Sequence, residues 1–386
     1  MTRHAVPPDF GRDVRCILGL PFDVVTLAGA EHQIRQAANE ERRYFLSTPN
    51  LNFAVQCVDD HQFRHSVLQS DLSVADGWPL VLVGRMIGAG VPERVAGATL
   101  FESLCSTPKA PVKVYFFGGP DGVAARACER VNASARGVRC VGYQAPGYGS
   151  VEQMSTEDVI RDINSTKPDF VVVSLGAKKS QEWIMRNRSR MTAPVVSNLG
   201  AVVNFAAGVV RRAPGWVQRA RLEWMWRIQQ EPVLWRRYVR DGFAFLRILL
   251  VKVIPLSLHM RMHAPSVDDL ANARLDVEQL SEALFLRLVG PWTLHNVEPL
   301  RAALRRSAND SRPLVIDLSA LTYADGAVLG TLSLAHGWCH VKGKHWWILG
   351  ITSRIRRLFR LASADYLLQP MMPNQRRPEG LAPHAA

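Results

Sequence analysis

Apolar and polar positions fall in blocks along this chain, and the block lengths mark the elements. Short apolar runs at 14–20, 44–46, 112–118, 139–143 and 169–176, each closed by polar or glycine-rich turns, read as strands. Within 169–176, the stretch Phe170-Val-Val-Val173 is unbroken by polar residues, which predicts a strand buried on both faces. Between these runs, helices are read over 27–42, which is polar, over 53–69, where apolar residues recur near helical spacing, and over 78–88, 99–105, an alanine-rich segment ending at Ala135, and 156–165. Strands that alternate with helices predict an α/β class with a mainly parallel, Rossmann-like sheet covered by helices on both faces.

The pattern changes after residue 210. From Arg211 to Arg261 the chain carries eleven Lys or Arg against three acids, interleaved with Trp216, Trp224, Trp226, Trp235 and Tyr238. The stretch from Phe243 to Leu256 is strongly apolar but interrupted by Arg247 and Lys252. Residues 259–276 read as a linker. A strand and turn at 284–292, a helix at 297–306, and a strand, loop and helix from 313 to 332 form a second, smaller α/β domain. The predicted organisation is an α/β domain over 14–210, a basic amphipathic appendage over 211–258, the linker, a small domain over 277–370, and a disordered Pro- and Arg-rich tail over 371–386.

Charge narrows the function classes. The net charge of +13 is carried mostly by arginine, whose planar fork suits phosphates and carboxylates. Composition alone leaves nucleic acid, an acidic membrane face and a nucleotide diphosphate as partners. The segment 243–256 is too apolar for an arm that binds nucleic acid, so an interfacial membrane helix is the expectation and nucleic acid is not. No run approaches 18 uninterrupted apolar residues and the first residues lack a signal-peptide core, so the expected place is the cytoplasm, peripheral on the inner face of its membrane. Six cysteines without a Cys-x-x-Cys pair read as reduced thiols. His61 and His65 lie four apart on one helix but lack a third ligand, and no metal site is predicted.

Candidate chemistry gathers between Leu46 and Gly97. Thr48-Pro-Asn50 and Asp76-Gly77 are turns that follow apolar runs, and Pro92-Glu-Arg94-Val-Ala-Gly97 is a loop with paired charges. Residues at strand ends and the following loops are where α/β folds build sites. Gly118-Gly119-Pro-Asp-Gly122 has the form of a strand-to-helix turn that can cradle phosphate, although glycines there equally serve a tight turn.

The three pieces, in this order and spacing, resemble the WecG/TagA/CpsF family of glycosyltransferases, over roughly residues 14–255. The resemblance implies transfer from a UDP-sugar to a saccharide on a polyprenyl diphosphate, in the synthesis of cell-surface polysaccharide. It assigns Asp76 as the base of an inverting displacement, Thr48 and Asn50 to substrate hydroxyls, and Arg94 to a phosphate. Ser180, Gln181 and Asn204 fall at the sugar site. Gly118 and Gly119 join Arg211, Arg212, Arg219, Arg227 and Arg237 on the nucleotide diphosphate, with Arg221 and Arg236 in the same basic stretch. The chain also departs from the family. Relatives read Gly-x-Pro-Lys-Gln-Glu-x-Trp where this chain has Gly176-Ala-Lys178-Lys-Ser180-Gln181-Glu-Trp183, and they more often carry aspartate at the position of Asn204. Neither Asp59-Asp60 nor Asp268-Asp269 makes an Asp-x-Asp metal motif, so guanidinium groups rather than a metal or other cofactor are expected to neutralise the leaving group.

Residues 277–370 resemble a STAS domain, a module that engages protein partners. Gly326 and Ala327 follow Asp325 where such domains often place a phosphorylatable Ser or Thr, so phosphoregulation at that loop is not expected. The partners implied are the donor, the lipid-linked acceptor, the membrane surface, a protein for the STAS-like domain, and a second copy of the chain. The alternative reading is a weakened or inactive scaffold that acts through the STAS-like domain.

Overall fold

The computed structural model describes residues 7–370, apart from residue 282. The expected tail over 371–386 lies outside the described residues. Contacts divide the chain into two units. One takes residues 25–81 and 92–245; the other takes the chain up to residue 24, residues 82–91, and the chain from 246 onward.

The run at 14–20 is a hairpin rather than one strand. β1 (Val14–Ile17) and β2 (Leu20–Asp23) pair antiparallel. Leu18 and Gly19 sit at φ 51° and 78°, the left-handed pair that a two-residue hairpin turn requires. The hairpin belongs to the second unit.

The first unit is built on β3 (Tyr44–Ser47), β4 (Leu72–Ser73), β5 (Val112–Gly118), β6 (Val138–Gln144), β7 (Phe170–Ser174) and β8 (Val195–Asn198), in a six-stranded sheet of order β4-β3-β8-β7-β5-β6. Every pairing is parallel. Helices Leu27–Asn39, Gly97–Ser106, Val123–Ser134 and Val202–Ala206 cover one face. Helices Glu157–Ser165 and Ala177–Asn187 cover the other, where Phe117 stacks on Trp183. All five residues of β7 are buried, as its unbroken apolar run requires.

The single helix expected over 53–69 is two, Leu51–Asp59 and His61–Leu68. Asp60 ends the first and caps the second, its side chain accepting from Phe63 N at 2.9 Å. Cys128 and Cys140, read from sequence as free thiols, are joined in a disulfide that ties helix Val123–Ser134 to β6, with Cα atoms 5.2 Å apart. Beyond the sheet, helices Gly215–Arg219 and Glu223–Gln230 precede a continuous helix from Trp235 to Met262. That helix is long and apolar enough to cross a membrane by length and composition, where the sequence reading expected none. It relaxes into a π turn over Leu249–Val253, just ahead of Pro255, whose missing N–H breaks the regular ladder.

In the second unit, β9 (Arg274–Gln279), β10 (Leu284–Trp292), β11 (Leu314–Asp317), β12 (Leu321–Ala324) and β13 (Trp346–Leu349) form a five-stranded sheet. Its parallel path runs β12-β10-β11-β13, and β9 pairs antiparallel with β10. Helices Glu298–Ser307, Gly326–Lys342 and Ser353–Leu361 complete it. The stretch expected as a linker, 259–276, holds the end of the long helix, a short helix Val267–Ala271 with a Ser266–Asp269 capping box, and the first half of β9.

Asp325 caps helix Gly326–Lys342: Oδ1 accepts from Ala327 N at 2.8 Å, and Oδ2 from Leu294 N at 2.7 Å. The hairpin lies along this helix. A Cβ at Gly330 would stand 3.2 Å from Cys16 N and 3.1 Å from Val14 Cγ2, so glycine is what allows the strand so close. The Tyr366 hydroxyl donates to the Gly19 carbonyl at 3.0 Å, and Arg301 pairs with Asp13 at 3.1 Å.

Candidate active site

Three segments converge at the carboxyl ends of β3 and β4, held by their own backbones. Asp76 N donates to the Pro49 carbonyl at 2.9 Å, and Val95 N donates to the Ala75 carbonyl at 3.0 Å. The Asp76 carboxylate thus lies between the Thr48–Asn50 turn and the 92–97 loop. Its Oδ2 accepts from Gly97 N, the first amide of helix Gly97–Ser106, at 3.4 Å. A helix amino terminus offers unpaired N–H groups and positive dipole density, which suit a carboxylate or a phosphate. Gly97 permits the approach: a Cβ there would stand 2.8 Å from Leu199 Cδ2 and 3.4 Å from Thr48 Oγ1.

Burial raises the pKa of Asp76 above the ordinary carboxylate range, against the lowering charges of Arg94 and Arg227 and the hydrogen bond from Gly97. Glu223 adds to the rise. Arg94 forms a two-pronged ion pair with Glu223, Nη1 to Oε1 at 2.6 Å and Nη2 to Oε2 at 3.2 Å. Arg212 donates to Thr99 Oγ1 at 2.8 Å and pairs with Glu102. Its pKa is lowered, first by burial, and it feels Glu223, Arg94 and Asp76. The site therefore sets the Asp76 carboxylate near three arginines, each paired with a glutamate: Arg94 with Glu223, Arg212 with Glu102 and Arg227 with Glu231. Beside it a cleft of about 500 Å³ runs between helices Gly97–Ser106 and Val123–Ser134, lined by Phe101, Glu102, Arg130, Phe205 and Arg212 among others.

The residues singled out from sequence separate into groups. Asp76, Arg94, Arg212 and Arg227 share one electrostatic environment. Thr48 lies beside Gly97 and donates to the Asn198 carbonyl at 3.3 Å. Asn50 caps helix Leu51–Asp59 through Oδ1, and that bond leaves its Nδ2 uncommitted. Asn204 lies half-buried on helix Val202–Ala206, and its carbonyl accepts from Val209 N. Arg211 works through its backbone, which is tied to Gln230 and Trp226. Arg219 donates within its own helix, and Arg237 stands over Tyr238.

Ser180 and Gln181, expected at the sugar site, are both fully buried. Ser180 Oγ accepts from Leu175 N at 2.9 Å, and Gln181 Nε2 donates to Ser47 Oγ at 2.9 Å, so both side chains hold the strand ends together from within. Gly118 and Gly119 are explained by the fold. Both have positive φ, and a Cβ at Gly118 would lie 2.6 Å from the Ser174 carbonyl. Sequence reasoning missed Glu223 as the acid that fastens the appendage to Arg94, and Trp78, whose ring lies 4.0 Å below the Arg221 guanidinium. The Glu223-Trp-Met-Trp-Arg227 block held the signal, but only its arginine was singled out.

The half-buried Asp76 carboxylate lies near three arginines at the strand ends of a parallel α/β sheet. Residues 15–257 match the glycosyl transferase WecG/TagA/CpsF family, which is well over half the chain, and the chain belongs to that family. Residues 275–370 match the Mlab, STAS domain family. A relative from Bacillus spizizenii is 30% identical over 200 residues, covering 52% of this chain and 76% of the relative. One from Bacillus subtilis is 25% identical, covering 50% and 73%, and one from Staphylococcus aureus is 24% identical, covering 58% and 86%. Each of the three is named N-acetylglucosaminyldiphosphoundecaprenol N-acetyl-beta-D-mannosaminyltransferase.

Proposed function

We propose that this chain transfers a sugar from a UDP-sugar to a saccharide carried on a polyprenyl diphosphate, with inversion at the anomeric carbon and Asp76 as the base. The observation that carries this reading is the environment of Asp76. A carboxylate whose pKa is raised by burial takes a proton more readily than an exposed one, and the arginines around it suit a departing diphosphate. In the step, Asp76 accepts the proton of the acceptor hydroxyl while that oxygen bonds to the anomeric carbon. The bond from that carbon to the diphosphate oxygen breaks, and UDP leaves with the electron pair. Arg94, Arg212 and Arg227 neutralise its charge, so the step needs no metal. Thr48 and Asn50 orient the sugar hydroxyls. The names of the relatives support an acceptor of the N-acetylglucosaminyl-diphosphate-lipid class.

Such an acceptor lies in a membrane, and the Trp235–Met262 helix suits its surface at the cytoplasmic face. Phe243, Leu246, Leu250 and Leu258 are exposed along it. Val253, Leu256 and Ser257 are buried, and Ser257 Oγ donates to the Met86 carbonyl at 2.6 Å. One side of the helix thus stays with the protein while the other meets the headgroup region.

A second reading has its own observation. Where relatives carry glutamine this chain has Ser180, buried and bonded to backbone, which fits a weakened enzyme or a scaffold. UDP release decides between them, measured with a panel of UDP-sugars and a polyprenyl-diphosphate acceptor in EDTA, for the natural chain and Asp76→Asn. Turnover that survives EDTA and falls about 10²- to 10⁴-fold in the variant is expected. No turnover with any donor favours the scaffold, and an unaffected variant removes Asp76 from the role of base.

A further inference from the structure

The second unit carries a cationic surface that the transfer reaction does not use. Helix Ser353–Leu361 turns Ile355, Leu358 and Phe359 inward, where they are buried, and leaves Arg354, Arg356, Arg357 and Arg360 exposed. Several surface arginines of this chain have an answering acid. Arg161 has Asp158, Arg186 has Glu152, Arg305 has Glu298 and Arg312 has Asp310. None of the four on this helix forms an ion pair or a side-chain hydrogen bond among the described residues. The local sequence explains why: between Asp325 and Asp365 the chain contains no acidic residue. Four guanidinium groups within nine residues repel one another, and no acid among the described residues pairs with them.

Their setting is apolar on one side. The helix packs against the end of the Trp235–Met262 helix, where His259 lies within electrostatic reach of Arg354 and Arg357. Lys252 Nζ donates to Ser363 Oγ at 3.0 Å, just past the end of the arginine helix. On that neighbouring segment Leu250, Val251, Leu258 and Met262 are 56%, 60%, 54% and 78% exposed. Unanswered arginines beside exposed aliphatic side chains fit a partner that offers phosphates and an apolar layer together.

We propose that the arginine face of helix Ser353–Leu361 binds the anionic headgroups of a phospholipid bilayer, with Leu250, Val251, Leu258 and Met262 entering the interface beside it. A nucleic acid would satisfy the charge and leave those four side chains in water. A bilayer with acidic lipid satisfies both. This surface rests on the reading that the chain works at a membrane, and it adds that the STAS-like unit contributes to attachment and sets the preference for acidic lipid.

The test is sedimentation of the full chain with vesicles of phosphatidylcholine alone and of phosphatidylcholine with phosphatidylglycerol. It compares the natural sequence with a variant carrying Arg354→Gln, Arg356→Gln, Arg357→Gln and Arg360→Gln. These side chains are exposed and unpaired, so the variant keeps its fold, checked by circular dichroism, and its UDP release in detergent. The natural chain is expected to bind acidic vesicles more tightly than neutral ones, with the difference shrinking as salt rises. The variant loses roughly 10- to 100-fold on acidic vesicles and keeps its weaker binding to neutral ones. A variant that retains the preference for acidic vesicles overturns the proposal while leaving membrane attachment intact. A natural chain that binds neither vesicle overturns both. Loss of binding to a duplex oligonucleotide, with vesicle binding unchanged, would assign the surface to nucleic acid instead.

Discussion

At the scale of single residues, burial of the Asp76 carboxyl works against stability. Burial raises its pKa in the folded chain above the ordinary carboxylate value, so the folded state holds the proton more tightly than the unfolded state does. Stability therefore falls as pH rises from the ordinary carboxylate range through the raised value, and the penalty persists at neutral pH. Asp76→Asn is expected to raise Tm at pH 7, by about 2–4 °C for each kcal/mol recovered in a unit of this size, even as it removes activity. Thermal scans below the ordinary carboxylate range should show the two proteins melting together; an equal or lower Tm for the variant at pH 7 would mean that its arginines fully offset the burial. Asp76 was singled out through the family resemblance, because an Asp-Gly pair by itself is an ordinary turn. Its glutamate was not, because Glu223 meets Arg94 across 129 positions, and no local pattern reports a pairing of that span. The internal hydrogen bonds of Ser180 and Gln181 were hidden for a related reason. A motif gives position along a helix, whereas whether a side chain points to the crevice or to the strand ends depends on how helix Ala177–Asn187 rolls onto the sheet.

At the scale of elements, the alternation of apolar runs and helical spacings was enough for the parallel sheet, because buried strands and amphipathic helices leave different periods in sequence. What it lost were the joints. Asp60 looks like any polar residue in a helix until its side chain is seen to cap the next one, and Leu18-Gly19 looks like the continuation of a strand until both residues take positive φ. The long helix illustrates a different limit. Arg247 and Lys252 interrupt its apolar run, yet its backbone continues from Trp235 to Met262. Each charge costs about 2.5–3.5 kcal/mol at the centre of a bilayer, and Ser257 is bonded to the Met86 carbonyl, so a surface position is cheaper than a crossing. Phe243 is 71% exposed on that surface. Phe243→Glu should weaken association with neutral vesicles about 10- to 100-fold, the value of one buried aromatic side chain, without lowering UDP release in detergent. An unchanged affinity in flotation or sedimentation would show that the helix meets something other than lipid.

At the scale of the whole molecule, the chain is divided in a way that no scan along the sequence reveals. Strands β1 and β2 open the family match at residue 15, yet they pack on helix Gly326–Lys342 of the STAS-like region, more than 300 residues later. Helix positions 326 and 330 are glycines one turn apart, and the hairpin backbone fills the groove they leave. The contact is reinforced at both ends, by Tyr366 on Gly19 and by Arg301 on Asp13. A hairpin this short has no independent stability, so its protection from solvent must come from the helix beneath it. Hydrogen exchange should therefore show residues 14–23 and 326–342 opening as one cooperative unit, with a common free energy of opening. Gly330→Val places methyl groups where Val14 Cγ2 and Cys16 N already stand, and overpacking of this kind costs about 1–3 kcal/mol. The variant should speed exchange in both segments together while the amides of β5 and β7 keep their protection. Faster exchange in the hairpin alone would mean that it rests on the helix without sharing its core. Faster exchange throughout the sheet of β3 to β8 would mean that the two units unfold as one.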